Sequence, residues 1–88
     1  MLMDSKRTPE FRQQLRALPL DVRRQAYRAY RQFKRDPYHP GLQFKRIRGD
    51  VYSVRIGLHF RALGKRTASN EITWFWIGSH AEYDKLLG

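Results

Sequence analysis

The chain has 88 residues, enough for one domain with a modest core and too few for two, so a single domain over residues 1–88 is expected. Lys and Arg number 18 against 8 Asp and Glu, a formal charge of +10 that no fold of this size pairs internally, which implies a polyanionic partner. The absence of cysteine excludes a disulfide framework and a thiolate zinc site, and His39, His59 and His80 match no metal-ligand spacing, so neither a metal nor another cofactor is expected.

The segment Met1 to Arg7 is followed by polar sequence, and no uncharged run approaches the ~18–20 residues of a membrane span. The chain therefore reads as soluble, unprocessed and suited to a reducing cytoplasm. Thr8-Pro9-Glu10-Phe11 has the chemistry of a helix start: a capping hydroxyl, proline at the first position and a carboxylate against the dipole. Phe11, Leu15 and Leu18 then share one face, and Leu18-Pro19-Leu20 ends this short helix. A second helix is predicted from Leu20 to Lys34, with Val22, Ala26, Ala29, Tyr30 and Phe33 as its apolar stripe and Arg23, Arg24, Arg28, Arg31 and Arg35 largely off it. Asp36-Pro37 stops it, because a residue before proline avoids the helical region. The positive charge is concentrated here: residues 1–48 carry 13 basic and 4 acidic side chains, residues 49–88 only 5 and 4.

From Leu42 the period changes to two. Leu42 to Ile47 is predicted as a strand, Gly49-Asp50 as a turn, and Val51 to Ile56 as a second strand with Tyr52, Val54 and Ile56 on one face and Ser53 and Arg55 on the other. Leu58 to Leu63 is predicted next, with His59, Arg61 and Leu63 on one face and Phe60 and Ala62 on the other. Lys65 to Asn70 reads as a polar turn. Glu71 to Ile77 is rich in β-forming aromatics and apolar on both faces, which places it inside the sheet. Trp74 and Trp76 are read as core and partner-interface residues. After Gly78-Ser79, His80 to Leu87 forms a terminal helix that Ser79 can cap. The fold class is α+β: two N-terminal antiparallel helices on a small twisted antiparallel sheet with a short C-terminal helix.

The sheet face without the two helices is where chemistry is expected. Alternation puts Arg55 on one strand, His59 and Arg61 on the next, and His80 just beyond the last. Cleaving RNA without a metal needs a base for the 2′-hydroxyl, cations for charge on the phosphate and an acid for the leaving oxygen. Arginine supplies the second, and histidine, with an intrinsic pKa of about 6.5, either proton role. Tyr83, one helical turn beyond His80, is placed to stack on a base or orient the phosphate. Lys45, Arg46 and Arg48 add phosphate contacts that contribute affinity and salt dependence with little sequence discrimination. His59 has the right face and flanks the site, whereas His39 is assigned no role.

Three runs carry a resemblance: Leu42-Gln43-Phe44-Lys45-Arg46-Ile47-Arg48-Gly49, Val51 through Leu63, and Trp74-Phe75-Trp76-Ile77-Gly78-Ser79-His80-Ala81-Glu82-Tyr83. Together they resemble the RelE/ParE superfamily of toxins of type II toxin-antitoxin systems, and Ile77-Gly78-Ser79-His80 followed by Ala81-Glu82 is similar to the C-terminal motif of its YafQ-type ribonucleases. The resemblance implies two helices against a twisted antiparallel sheet, metal-independent cleavage of messenger RNA on the ribosome, and neutralisation by a cognate antitoxin protein. Arg61 then matches an arginine that contacts the scissile phosphate and His80 the histidine that acts as acid or base. Arg55 stands where YafQ-like toxins carry another catalytic histidine, and Tyr83 is one residue nearer His80 than the family's aromatic. Superfamily members usually begin with a β-branched strand. Here only Met1 to Arg7 is available, so either that strand is reduced to a few residues or the sheet has lost an edge. Three functions stay open: an endoribonuclease, a non-catalytic ParE-like inhibitor of DNA gyrase, and an inactive domain that only binds antitoxin.

Overall fold

A computed structural model describes residues 3–87 of the chain. The elements run β1 (Asp4–Arg7), α1 (Pro9–Arg16), α2 (Leu20–Arg35), β2 (Lys45–Arg48), β3 (Val51–Ile56), β4 (Phe60–Ala68), β5 (Glu71–Ser79) and α3 (His80–Leu87), with a 3-10 turn at Pro40–Leu42 before β2. The strands form one sheet in the order β1-β5-β4-β3-β2. Strands β2 to β5 are an antiparallel meander, while β1 runs parallel to β5, with Asp4 beside Glu71 and Arg7 beside Trp74. The N-terminal strand is thus present in reduced form, and it seals the edge that β5 would otherwise expose. Ser5 helps fix it, its hydroxyl accepting the Trp74 indole N–H at 2.6 Å.

The helix signals act as the sequence indicates. The Thr8 hydroxyl accepts the Phe11 N–H at 3.1 Å with Pro9 at the first helical position, and α2 runs to Arg35, stopping before Pro37. Helix α1 lies chiefly on β5 and α2 on β3. Their stripes, Phe11 and Leu15 from α1 and Ala26 and Phe33 from α2, meet Val54, Ile56, Ala62, Ile72, Trp74 and Ile77 in one core. Burying a side chain of this size stabilises by about 1.5–3 kcal/mol. Phe33 stands at its centre, edge-on to Phe44 at 5.1 Å and to Trp74 at 5.4 Å. Trp74 and Ile77 can face the same helices because β5 bulges: Leu63 pairs with Trp76 but Gly64 with Trp74, leaving Phe75 as the extra residue. Gly64 is required there, since a Cβ on it would lie 2.7 Å from the Trp74 ring.

Three boundaries differ from the sequence reading. Leu42 ends a 3-10 turn instead of opening a strand, because Pro40-Gly41 folds under an N–H bond from Gly41 to the His39 imidazole and Leu42 plugs the core. Gln43 follows with φ 46°, so pairing starts only at Lys45. Lys65 to Ala68 continue β4, since their backbones pair with β5, and the turn contracts to Ser69-Asn70. Leu58 and His59 lie in the β3–β4 turn after Gly57, whose φ of 59° makes the short reversal possible.

Candidate functional site

Residues paired across antiparallel strands point to the same side of a sheet. Val54 pairs with Ala62 in the core, so the adjoining pairs Ser53–Leu63 and Arg55–Arg61 point to the opposite face, as do Trp76 and Gly78 of β5, the partners of Leu63 and Arg61. Lys45, opposite Ser53, and Arg48, opposite Val51, extend this face onto the edge strand β2. Arg46 pairs with Tyr52 and therefore belongs to the helix side of the sheet. His59 is exposed in the β3–β4 turn and reaches the site through its backbone, its carbonyl accepting the His80 N–H at 2.8 Å.

The C-terminal helix folds over the arginine pair. Its start is a capping box: the Ser79 hydroxyl accepts the Glu82 N–H at 3.2 Å and the Glu82 carboxylate accepts the Ser79 N–H at 2.9 Å. The Ser79 backbone N–H, and after it the Ser79 side chain, hold the Glu82 carboxyl below its usual pKa. With the helix set, the Tyr83 ring lies 5.2 Å from the Arg61 guanidinium carbon. The His80 imidazole stands edge-on to that ring, centroids 6.1 Å apart at 85°. Arg55, Arg61, His80 and Tyr83 are therefore brought together.

The covering of Arg61 departs from the sequence reading, which leaves this face open. Arg61 is only 3 % exposed. One Nη donates to the fully buried Ser53 hydroxyl at 2.9 Å and to the Gln43 carbonyl at 3.4 Å, while its buried Nε has no partner. Burial pushes its pKa down, Tyr83 opposes that, and the neighbouring Arg55 adds to it. The reason is tertiary: alternation decides which face a residue takes, but not what lies on that face. Arg55 and His80 remain partly accessible, so they present the cation and the imidazole to solvent, and Arg61 supports Tyr83 from beneath. Ser53 and the Gln43 carbonyl are the partners that sequence reasoning missed. Ser53 left one signal, a small hydroxyl inside an apolar strand on the same side as Arg55.

On the helix side, the gap between α1 and α2 is an apolar cavity of about 190 Å³ floored by Val54, Ile56, Ala62 and Trp74. Exposed Tyr27 and Tyr30 stand at its rim, with Leu20 exposed on the same helix. Among the described residues no helix is long and apolar enough to cross a membrane.

Residues 20–85 match the family described as the ParE-like toxin domain. Solved structures with the same fold include the toxin-antitoxin complex RelBE2 from Mycobacterium tuberculosis, with a TM-score of 0.70, 18% identity, and coverage of 91% of this chain and 100% of that one. The RelB-RelE antitoxin-toxin complex from Methanococcus jannaschii gives a TM-score of 0.68 at 14% identity, covering 94% and 99%. YafQ from E. coli gives 0.62 at 8% identity, covering 92% and 97%. No curated protein sequence matches the chain.

Proposed function

This chain belongs to the ParE-like toxin family of the RelE/ParE superfamily, and from that premise we propose that it is a toxin that cleaves messenger RNA on the ribosome without a metal. The observation that carries this reading is the gathering of His80, Tyr83, Arg55 and Arg61 on one sheet face. In the proposed reaction His80 takes the proton of a ribose 2′-hydroxyl, whose oxygen attacks the adjacent phosphorus. A cyclic phosphate forms as the bond from phosphorus to the 5′-oxygen breaks, and the leaving oxygen takes up a proton from solvent water. Arg55 offsets the charge that accumulates on the phosphate, and Arg61 adds to the positive potential while holding Tyr83 under the imidazole. Direct contact of Arg61 with the phosphate would need the Tyr83 ring to swing aside. Lys45 and Arg48, on the same face, lead the strand toward this point.

The proposed partner is an acidic antitoxin. The similar structures from Mycobacterium tuberculosis and Methanococcus jannaschii are complexes of a toxin with an antitoxin. Here a +10 chain, with Lys6–Glu71 as the one ion pair among the described residues, offers an apolar gap beside exposed Tyr27 and Tyr30. A second reading, a gyrase inhibitor, draws on the ParE-like family match and on the burial of Arg61. Expression in cells with separate measurement of translation and of DNA supercoiling divides the two. The ribonuclease reading expects translation to stop with supercoiling unchanged, and expects His80→Ala to abolish growth inhibition. Loss of supercoiling with intact translation, or full toxicity of His80→Ala, overturns it.

A further inference from the structure

At the end of the sheet away from His80, the β2–β3 and β4–β5 turns flank an open polar depression of about 420 Å³. Arg46, Tyr52 and Arg66 line it. Arg66 is fixed in place: its Nε and one Nη donate to the Ser69 carbonyl at 3.2 and 2.5 Å. The other Nη reaches the Tyr52 hydroxyl at 3.5 Å, and the guanidinium carbon lies 5.5 Å from the Tyr52 ring centre. Hydrogen bonding to Tyr52 is the largest cause that raises its pKa, with a smaller contribution from Tyr38. Arg46 stands beside it, exposed, across from Tyr52 in register. Neither arginine has a carboxylate partner among the described residues, although Asp50 lies on the same wall. An aromatic row leads outward, with Tyr52 stacked on Phe44 at 5.1 Å and Phe44 edge-on to Tyr38 at 5.8 Å, and Tyr38 is 66% exposed.

This is the chemistry of a nucleotide subsite. A guanidinium held by its neighbours loses little freedom on binding, and the two Nη N–H groups not spent on Ser69 and Tyr52 remain for a phosphate. A second arginine at the lip shares the charge, and an exposed phenol beside them offers a face to a base. Acidic peptides use the first two features but have no need of the third. Tyr52 and Ile56 are four residues apart on β3, about 13 Å at the rise of a strand, so the pocket is separate from the site at the His80 end. Lys45 and Arg48, on the other face of β2, lie at the edge a strand would cross between them.

We propose that the Arg46–Arg66 pocket is a second RNA subsite, holding a backbone phosphate between its two guanidinium groups and the adjoining base on Tyr38, several nucleotides from the bond that is cut. This rests on the reading of the protein as an RNA-binding toxin. The test is fluorescence anisotropy of the full chain with a labelled, 2′-O-methylated 12-nucleotide single strand, which cannot be cleaved. All three substitutions fall at exposed positions, so the fold is retained. Arg46→Gln is expected to weaken binding and to lower the slope of log K against log salt by about 0.7, one phosphate contact on a single strand. Tyr38→Ala is expected to weaken it about 5- to 100-fold with the slope unchanged, and Asp50→Asn to tighten it. Wild-type affinity and slope in both Arg46→Gln and Tyr38→Ala overturn the subsite. So does a loss in Arg46→Gln alone when poly-glutamate displaces the strand, which identifies an acidic protein surface. If His80→Ala remains fully toxic while these binding effects appear, the cleavage reading falls and the subsite stands. If cleavage depends on His80 while the variants bind as wild type, the subsite alone falls.

Discussion

Replacing Arg61 by methionine separates the physical role of this residue from its chemical one. The guanidinium makes a 2.9 Å bond to Ser53 and a longer 3.4 Å bond to the Gln43 carbonyl, and charged hydrogen bonds stabilise by about 1.5–3 kcal/mol each when well formed. Against this stand the burial of a cation at 3 % exposure and an Nε with no partner, itself costing about 1–3 kcal/mol. Burial and the neighbouring Arg55 push the Arg61 pKa down while Tyr83 opposes them, so this site holds the cation less readily than water does. Methionine keeps the length of the side chain and packs its sulfur near the Tyr83 ring, so Arg61→Met is expected to change stability by no more than about 1 kcal/mol. Arg61→Ala, which leaves a void beneath Tyr83, is expected to lose about 2–5 kcal/mol. Urea unfolding of both variants measures this. RNA cleavage by the stable Arg61→Met protein then reports chemistry alone, with a fall of about 100-fold or more expected if the cation acts on the transition state. A loss exceeding about 3 kcal/mol in Arg61→Met would show that the hydrogen bonds outweigh desolvation, and the argument from burial would be wrong.

Gly64→Ala is expected to destabilise by about 1–3 kcal/mol, because the new Cβ falls 2.7 Å from the Trp74 ring and 2.8 Å from Ile72. A thermal melt should drop by about 5–20 °C, and an unchanged midpoint would mean that the β5 bulge relaxes freely. For Glu82, the folded pKa is depressed, so its contribution to the α3 cap is present above the unfolded value of about 4.3 and is lost as pH falls through the lower folded value. Glu82→Gln keeps an acceptor for the Ser79 N–H but does not titrate. Acid fraying of α3, followed by amide exchange from Ala81 to Lys85, should therefore weaken its pH dependence in that variant.

What could be read in the sequence follows what each pattern physically constrains. The stripes of α1 and α2 were legible because a helix must bury one face, and β5 because only an interior strand keeps apolar residues on both sides. Alternation put Arg55 and Arg61 on one face, but their register was not readable, because it is set by the Gly57 to His59 turn, of which the sequence reading gave Leu58 and His59 to a strand. Composition misled at Lys65 to Ala68, where polar side chains suggested a turn and backbone pairing with β5 kept the strand. Leu42 misled in the opposite way: a β-compatible apolar residue serves instead as a plug after a Pro-Gly turn. The position of α3 left no periodic signal. Helix α3 buries chiefly Tyr83, and its ring lies 5.2 Å from the Arg61 guanidinium carbon, a contact that alternation along the strands cannot foresee.

Charge alone would not choose a binding face on this molecule. Arg24, Arg28, Arg31 and Arg35 stand exposed along α2 at spacings of four, three and four, so they are neighbours of like sign. Each such pair costs about 0.2–0.5 kcal/mol, and no carboxylate among the described residues pairs with any of them. A field of this kind draws a polyanion from every side and speeds encounter, but it holds a phosphate in no particular place. Position needs cations whose geometry is fixed before the ligand arrives. Two places hold a cation fixed in this way: Arg61, buried beside Tyr83 and open to a phosphate only if that ring moves, and Arg66 with Tyr52 and Ser69 at the other end of the sheet. In both, an arginine from β4 is fixed by hydrogen bonds and faces an aromatic ring, so the strand at the centre of the meander sets the spacing between them.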